Sequence, residues 1–469
     1  MALSLNQTGV NGDAKFAKML NSVQSNILKG HGRNFAHHLL FQLDASKAED
    51  AKAWIAGFAD KFITSAAGQL AGTRAFREGK TTDAGPVFTL SLTSKGYDIL
   101  GLESAKPANS SFNNGMKEAV LGDDPGNFEP PFLQDIHMLI LVADDCTEDC
   151  LASVNAIVAE VSGFAKLILN QRGNVLKIKG GTGIEHFGYA DGISQPIYFE
   201  KDIKEQVSTT QWNDATNLDR LLVEDPGAET EDCFGSFLVF RKLEQNVKAF
   251  KTAEQTGLPI IKNVDGRDNE ELAGAMLVGR FESGVPVVKS SIDNIANPKA
   301  PSNDFDYSND MDAIKCPFHS HVRLMNPRNG DRIAGNQDLH RITRRGMPYD
   351  EIGRIDEKDI ENITDEMLNS SWPEKGVGLL FFCYQSNIGN QFEILQQFWA
   401  NMGNIAGHLV GGEDSLISQG ANPVKTLPQQ WGGAKQTDPF AFGNFVTTRG
   451  GEYFFTPSID FLKSLSATL

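Results

Sequence analysis

Long apolar runs, cysteines and basic residues are all scarce in this sequence. No stretch approaches the roughly 18 apolar residues that a membrane-spanning helix needs, so the sequence predicts neither a span nor a membrane partner. There are only five cysteines. The two in DDCTEDC, Cys146 and Cys150, have no second Cys/His pair beside them, so the sequence does not predict a metal site of that type.

The charge balance is strongly acidic. Sixty Asp and Glu face 43 Lys and Arg, which gives a formal net charge of -17. A field of that sign repels polyanions, so nucleic acid is an unfavourable partner. The first residues, MALSLNQTGVNGDAKF, lack the basic and apolar segments of a secretory signal, and we expect a cytoplasmic protein. The oligomeric state is left open by the sequence.

Hydrophobic periodicity divides the chain into two similar halves, each with the order strand, helix, strand, helix, strand. Strands are predicted at 37–44, 88–93, 136–143, 234–243, 376–385 and 450–459, and helices at 48–63, 97–102, 150–161, 244–255 and 391–403. This order is typical of an α+β fold, with two domains that each have an antiparallel sheet and helices on one face. With 469 residues the chain has room for both, and we place the domains at 1–196 and 197–469.

Two irregular stretches interrupt this pattern. Residues 180–196 (GGTGIEHFGYADGISQP) are rich in glycine but neither charged nor repetitive, which favours a functional segment over disorder. Residues 294–312 (NIANPKAPSNDFDYSNDMD) are polar, and we expect a solvated surface loop there.

Three short motifs carry residues that could do chemistry. Asp191 in GYADG has the sequence of a turn, although its flanking glycines would also let the backbone approach a flat ligand. Arg344 in RRGMPY could lie in a basic surface turn or could point inward and stabilise an oxyanion. His319 and His321 in CPFHSHVRLMNPR could be core residues, or one of them could be the single neutral imidazole that a haem iron requires. Arginines near this stretch, Arg280, Arg323 and Arg328, would then be available to haem propionates.

Taken in order, these motifs resemble the dye-decolourising peroxidases. NILKGHGR near the N-terminus, FGYADGISQP with the family's GxxDG pattern, HVRLMNPR and RRGMPY carry the resemblance, and GSFLVFRKLEQNV, LVGRFESGVPV, GLLFFCYQ and GGEYFFTPSI extend it. It covers residues 24 to 460, in the manner of the longer fungal and bacterial members. The resemblance implies two ferredoxin-like domains with the haem between them.

The resemblance also implies a role for particular residues. His321, which opens the HVRxxNPR pattern, matches the proximal iron ligand, and His319 matches no family residue. Asp191 and Arg344 match the catalytic aspartate and arginine, and Arg280 matches an arginine that contacts a haem propionate. Apolar residues of the distal pocket correspond to Leu379 and Phe381, or to Leu380 and Phe382 if the strand register differs by one.

A peroxidase function follows from the same resemblance. We expect one haem b per chain, since the sequence has no CxxCH pattern for covalent attachment. Hydrogen peroxide would be the oxidant, and small or bulky organic donors such as phenols and anthraquinone dyes would be oxidised. Tyr349, five residues after Arg344, would carry electrons from bulky donors at the surface, and Trp372 and Trp399 are weaker candidates for that role.

A protein that handles haem is the alternative function. Such a protein would carry haem, or would release its iron while sparing the porphyrin. A carrier has no need of an acid–base group such as Asp191 beside a cation such as Arg344, and this favours the peroxidase.

Overall fold

The structure is a computed structural model that describes residues 2–206, 215–294, 303, 305–328, 331, 337–405, 408–409, 411–420 and 424–466. The first half contains α1 (Ala17–Ser22), β1 (Phe35–Leu43), α2 (Ala48–Lys61), α3 (Ala66–Arg77), β2 (Val87–Leu92), α4 (Ser94–Ile99), α5 (Ser110–Asn114), α6 (Pro130–Leu133), β3 (Met138–Asp144), α7 (Thr147–Val161) and β4 (Ala165–Asn174). Two short elements follow in the connection between the halves, α8 (Glu200–Gln206) and β5 (Val223–Glu224).

The second half is longer and more irregular. It contains β6 (Phe234–Gln245), α9 (Val247–Thr256), β7 (Ile261–Lys262), β8 (Asp268–Asn269), α10 (Leu272–Val278), α11 (His321–Met325), β9 (Thr343–Arg344), β10 (Met347–Asp350), α12 (Asp365–Ser370), β11 (Val377–Gln385), β12 (Asn404–Ile405), β13 (His408–Leu409), β14 (Val424–Lys425), β15 (Phe440–Ala441), β16 (Val446–Thr456) and α13 (Ile459–Ser464). Two π-helical segments, Gly389–Glu393 and Leu395–Ala400, stand where the sequence predicts a regular helix.

The two halves share one topology. The first has the strand order β2-β3-β1-β4 and the second the order β10-β11-β6-β16, and neighbouring strands are antiparallel in both. Each half runs strand, helix, two strands, helix, strand, which is the ferredoxin-like arrangement. The predicted α+β fold class is therefore confirmed. The boundary predicted between residues 196 and 197 falls in the connection and stays a prediction.

The two sheets join into one. β16 pairs with β2 at Phe455 and Leu92, and β10 packs against β4 at the other end. Successive side chains of β1 point to opposite faces of the sheet, so they pack in two different cores. Leu39 packs in a cluster with Ile55 of α2, while its neighbour Leu40 packs in a second cluster with Leu238 of β6. The helices therefore cover one face of the joined sheet. Its other face is buried where strands of the first half pack against strands of the second half.

Strand β4 is the main element that the sequence pattern missed. Its residues, AKLILNQRGN, include several that are only partly buried, and β4 is the last strand in the sheet order beside β1. An edge strand with a half-solvated face gives a weak apolar signal.

No helix in the described part of the chain combines the length and the hydrophobicity that a membrane span requires.

The expectation of a solvated loop at 294–312 holds for only part of the residues that the structure describes there: residues 308, 309, 311 and 312 are exposed, but others are not. Phe305, Tyr307 and Asp310 are buried. Phe305 lies under the guanidinium group of Arg280, whose central carbon is 4.5 Å from the ring centre, and Tyr307 lies in the same way 4.2 Å from Arg323. The buried aromatic rings of this stretch therefore pack against buried guanidinium groups, while several polar residues next to them face water.

Candidate active site

A cavity lies against one face of β6 and β11. Alternation along β11 turns Leu379 and Phe381 into it, whereas Leu380 and Phe382 pack in the core between the sheets. Every described residue of its lining falls between Glu185 and Val446. One wall is therefore the stretch 180–196, and the other walls come from the second half of the chain.

Asp191 and Arg344 form an ion pair in this cavity. Arg344 Nη1 lies 3.0 Å from Asp191 Oδ1, and both side chains are partly accessible from the cavity. Burial raises the pKa of Asp191, but the charge of Arg344 and hydrogen bonds from Gly192 and Arg344 outweigh it. The pKa of the carboxyl group therefore lies below its ordinary value, and Asp191 is ionised at neutral pH.

Backbone and carboxylate contacts shape the turn that carries Asp191. The amide of Asp191 donates to the carbonyl of Gly183, and Gly188 adopts a left-handed φ of +99° that other residues avoid. Glu185 accepts hydrogen bonds from the amides of Phe187 (2.8 Å) and Tyr189 (3.0 Å). Burial raises the pKa of Glu185 to about 7. No sequence motif pointed to this role of Glu185, because Glu185 precedes the GxxDG pattern.

The residues after GxxDG tie this stretch to two arginines. Gln195 Oε1 accepts a hydrogen bond from the amide of Arg344, and the carbonyl of Ser194 accepts one from Arg344 Nη2. Ser194 Oγ lies 2.6 Å from Arg328 Nη2. The SQP segment (residues 194–196) thus holds the guanidinium groups of Arg328 and Arg344 in position, and it also holds the backbone at Arg344.

His321 also lines the cavity, at the first residue of α11. Its Nδ1 lies 2.8 Å from Asp414 Oδ2, and Asp414 Oδ1 accepts from the amides of Leu416 and Ile417 at 2.8 Å each. Burial lowers the pKa of His321, but Asp414 outweighs burial and leaves it raised. The aspartate fixes the ring and leaves Nε2 as the nitrogen available to a ligand. No sequence signal pointed to Asp414, which lies 93 residues away.

His319 is a core residue instead. Its Nε2 lies 3.1 Å from the carbonyl of Thr426, and it is not part of the described cavity lining. Burial, followed by the charge of Lys425, lowers the pKa of His319 to about 4, so the ring is neutral. Of the two histidines, only His321 faces the cavity.

The candidate arginines separate into two groups. Arg280 and Arg328 line the cavity on either side of Asn303, whose Oδ1 lies 3.3 Å and 3.4 Å from them. Burial and then Arg328 lower the pKa of Arg280 to about 9. Arg323 is fully buried away from the cavity, in ion pairs with Asp310 and Asp331.

The two neighbouring arginines of RRGMPY have different partners. Arg344 enters the cavity, whereas Arg345 Nε and Nη2 donate to the carbonyls of Asn26 and Ile27. The N-terminal NILKGHGR motif therefore anchors the chain next to Arg344. This contact spans more than 300 residues and explains why a motif far from the cavity accompanies the others.

The prediction that Tyr349 lies at the surface is wrong. Tyr349 is 0% exposed, because it lies on β10 in the core between the sheets, where Lys242 Nζ is 5.0 Å from its ring centre. Its hydroxyl has no hydrogen-bond partner among the residues that the structure describes, and burial raises the pKa of Tyr349. Of the weaker candidates, Trp399 is buried and lines the cavity, and Trp372 is partly buried outside the described lining.

A stability prediction follows from the unpartnered hydroxyl. Tyr349→Phe should raise the free energy of unfolding by about 1 kcal/mol, since a buried hydroxyl without a partner is unfavourable. Tyr198→Phe is the matched control. The Tyr198 hydroxyl lies 2.6 Å from Thr343 Oγ1, so its removal should lower the same free energy by about 1 kcal/mol. Denaturant unfolding measures both. A loss of stability in Tyr349→Phe would mean that its hydroxyl has a partner.

Comparison with known families adds to this geometry. Residues 22–176 match the family model described as the DyP dimeric alpha+beta barrel domain, and residues 200–408 match the model of the C-terminal part of Dyp-type peroxidases. The multifunctional dye peroxidase DyP2 of Amycolatopsis sp. is 36% identical over 99% of both chains.

Solved structures agree with these matches. The DyP-type peroxidase of Anabaena sp. has a TM-score of 0.87 at 36% identity, over 99% of this chain and 100% of that one. A dye-decolorizing peroxidase in complex with 2,6-dimethoxyphenol has a TM-score of 0.76 at 27% identity, over 96% of this chain and 99% of that one.

Proposed function

The chain belongs to the DyP-type peroxidase family, and we propose that its cavity holds one haem b bound through His321. The protein is a peroxidase that acts on hydrogen peroxide. The main support for the proposed site is that the ion pair of Asp191 and Arg344 lies in the same cavity as His321. This arrangement places a proton acceptor, a fixed cation and a metal ligand around one space.

The donor set of the cavity fits haem. Two histidines, His321 and His340, belong to the described lining. His321 is oriented by a buried carboxylate, as metal-bound histidines usually are, whereas Nδ1 of His340 lies at hydrogen-bond distance from the carbonyl of Asn390. Apolar side chains such as Leu379 and Phe381 suit a flat macrocycle. Arg280 and Arg328 place two buried guanidinium groups in the lining, and guanidinium groups bind carboxylates such as propionates well.

The side chains supply the proton chemistry. Haem, when bound, supplies the iron that reduces peroxide and the one-electron oxidation of donors. Asp191, kept ionised by Arg344, takes a proton from one peroxide oxygen and returns it to the other, which leaves as water. Arg344 stabilises the negative charge that develops as the O–O bond breaks. Ser194 and Gln195 hold Arg344 in place for this step.

Phenols and bulky organic donors such as anthraquinone dyes are the proposed substrates. A relative bound to 2,6-dimethoxyphenol and several relatives named for dye decolourisation support this donor class. The cytoplasmic location stays a prediction of the sequence. Nucleic acid remains an unfavourable partner because the net charge is -17.

Rapid mixing of the haem-loaded protein with hydrogen peroxide, followed by absorbance, tests the function. We expect a fast change in the haem spectrum that an added phenol reverses, with turnover. A spectrum that does not respond to peroxide would reject the peroxidase proposal. Release of iron with the porphyrin intact would support the haem-handling alternative instead.

The pH profile of this reaction should depend on the ion pair. Because the pKa of Asp191 lies below its ordinary value of 3.8, the peroxide reaction should retain at least half of its maximal rate at pH 3.8. Arg344→Leu removes the main influence that lowers this pKa, so the acid limb of the normalised profile should move to higher pH. An acid limb at the same pH in both proteins would show that Asp191 does not control it.

A further inference from the structure

All seven tyrosines of the chain are buried, and Tyr189 is the one among them that lines the described cavity. It lies within GYADG, two residues before Asp191. Its backbone position is fixed, since its amide donates to Glu185 Oε1 and its carbonyl accepts from the amide of Glu185. A phenol is therefore held rigidly at the wall of a cavity where oxidation takes place.

The hydroxyl of Tyr189 has an acidic partner. It donates to Glu254 Oε1 at 2.5 Å, and its ring packs edge-on against Phe250 with the centres 6.1 Å apart. Glu254 is held in turn by Lys251, whose Nζ lies 2.8 Å from Glu254 Oε2 and also pairs with Glu282. Burial, and then the charge of Glu254, raises the pKa of Tyr189, so the phenol is protonated in the resting protein.

This group of residues leads outward from the cavity. Tyr189 is 5% exposed, the Glu254 side chain is 17% exposed and the Glu282 side chain is 49% exposed. α9, which carries Lys251 and Glu254, has exposed residues beside them. The phenol and its carboxylate partner therefore lie between the cavity and the solvent.

We propose that Tyr189 and Glu254 form a redox pair that passes electrons to the cavity from donors too large to enter it. The proposal rests on the proposed function, which supplies the oxidant. Tyr189 loses one electron to the oxidised cofactor, and its phenolic proton moves to Glu254 Oε1. A donor at the surface near Glu254 then returns one electron, and the proton goes back to the phenolate oxygen.

The carboxylate is what makes this step feasible. Loss of an electron alone would leave a positive charge on a buried ring, which is strongly unfavourable. An acceptor at hydrogen-bond distance lets the proton leave in the same event and keeps the ring neutral. Tyr349 has no such acceptor in the described part of the chain. Tyr453, whose hydroxyl lies 3.0 Å from Glu393, is not part of the described lining.

Electron paramagnetic resonance after freeze-quenching tests the pair. The haem-loaded protein, with and without ring-deuterated tyrosine, is mixed with stoichiometric peroxide and no donor. We expect a radical signal that narrows on deuteration. Tyr189→Phe should lose this component. Glu254→Gln should form it on the order of a hundredfold more slowly, because the amide cannot take the proton. Tyr453→Phe is the matched control and should keep it.

Each outcome decides between the proposals. A tyrosine signal that persists in Tyr189→Phe, or that forms at the parental rate in Glu254→Gln, would overturn the redox pair. A parent protein that consumes peroxide but gives no tyrosine signal would overturn it as well, while leaving the peroxidase intact. A parent that does not react with peroxide would contradict the proposed function itself. If Tyr189→Phe fails to fold, Glu254→Gln and the labelled parent still decide.

Discussion

His321→Ala should abolish stable haem binding, and His319→Ala should leave it intact. His321 lines the cavity, and its Nδ1 lies 2.8 Å from Asp414 Oδ2, which fixes the ring. Removal of this carboxylate-oriented imidazole leaves mainly the apolar walls and the arginines to hold the cofactor. We expect the affinity to fall at least about a hundredfold, which corresponds to about 2.7 kcal/mol. Titration of the haem-free protein with haem, followed by absorbance, measures the change.

Two further variants sharpen this prediction. His319→Ala removes a neutral core ring that bonds to the carbonyl of Thr426, so it should lower stability without changing haem affinity. Asp414→Asn keeps the shape of the side chain but removes the charge that orients His321, and a loss of about 10- to 100-fold in haem affinity is expected. Tight binding by His321→Ala together with loss of haem by His319→Ala would show that the ligand is assigned to the wrong histidine.

Asp191→Asn and Arg344→Leu should slow the reaction with peroxide while the haem stays bound. Asparagine keeps the size of the aspartate but cannot take a proton at pH 7, and leucine removes the cation that stabilises the leaving oxygen. Proton transfer by a positioned side chain and stabilisation of a developing negative charge each usually raise the rate by about a hundredfold or more. We expect at least one of the two variants to lose that much in the second-order rate constant of the peroxide reaction, measured by rapid mixing.

The matched control for this pair is Asp135→Asn. Asp135 lies 2.5 Å from Lys95 in an exposed ion pair outside the described cavity lining, so its loss tests the effect of an ion pair as such. It should react with peroxide at the parental rate. If Asp191→Asn and Arg344→Leu also kept the parental rate, neither residue would take part in O–O bond cleavage and the proposed mechanism would be excluded.

Local pattern was sufficient for most of the long strands and helices, though not for β4, and for part of the site. The family resemblance limited the apolar pocket residues of β11 to two alternative sets, and the structure places Leu379 and Phe381 in the cavity. The motifs around Asp191, His321 and Arg344 came from the sequence, and the fold brings all three into one cavity. Apolar periodicity and motif spacing depend on residues a few positions apart, which is why the sequence alone reveals them.

The tertiary structure decided the partners of these residues. Asp414 reaches His321 from 93 positions away, and Glu254 reaches Tyr189 from 65 positions away. Neither Asp414 nor Glu254 lies in a recognisable sequence motif. Each pairing is set by how the chain after β6 packs around the cavity and not by local sequence.

Burial of the aromatic side chains was also decided by packing. A tyrosine in a polar motif has the same local sequence whether its strand ends at the surface or is covered by a second sheet. Tyr349 is covered because β10 lies between β11 and β4, and this follows only from the joining of the two sheets. The sequence by itself therefore determined the fold class, the family and the candidate reactive groups. The tertiary structure determined which charges are paired, which aromatic rings are buried and which of them meet the cavity, because these depend on contacts between residues far apart in the chain.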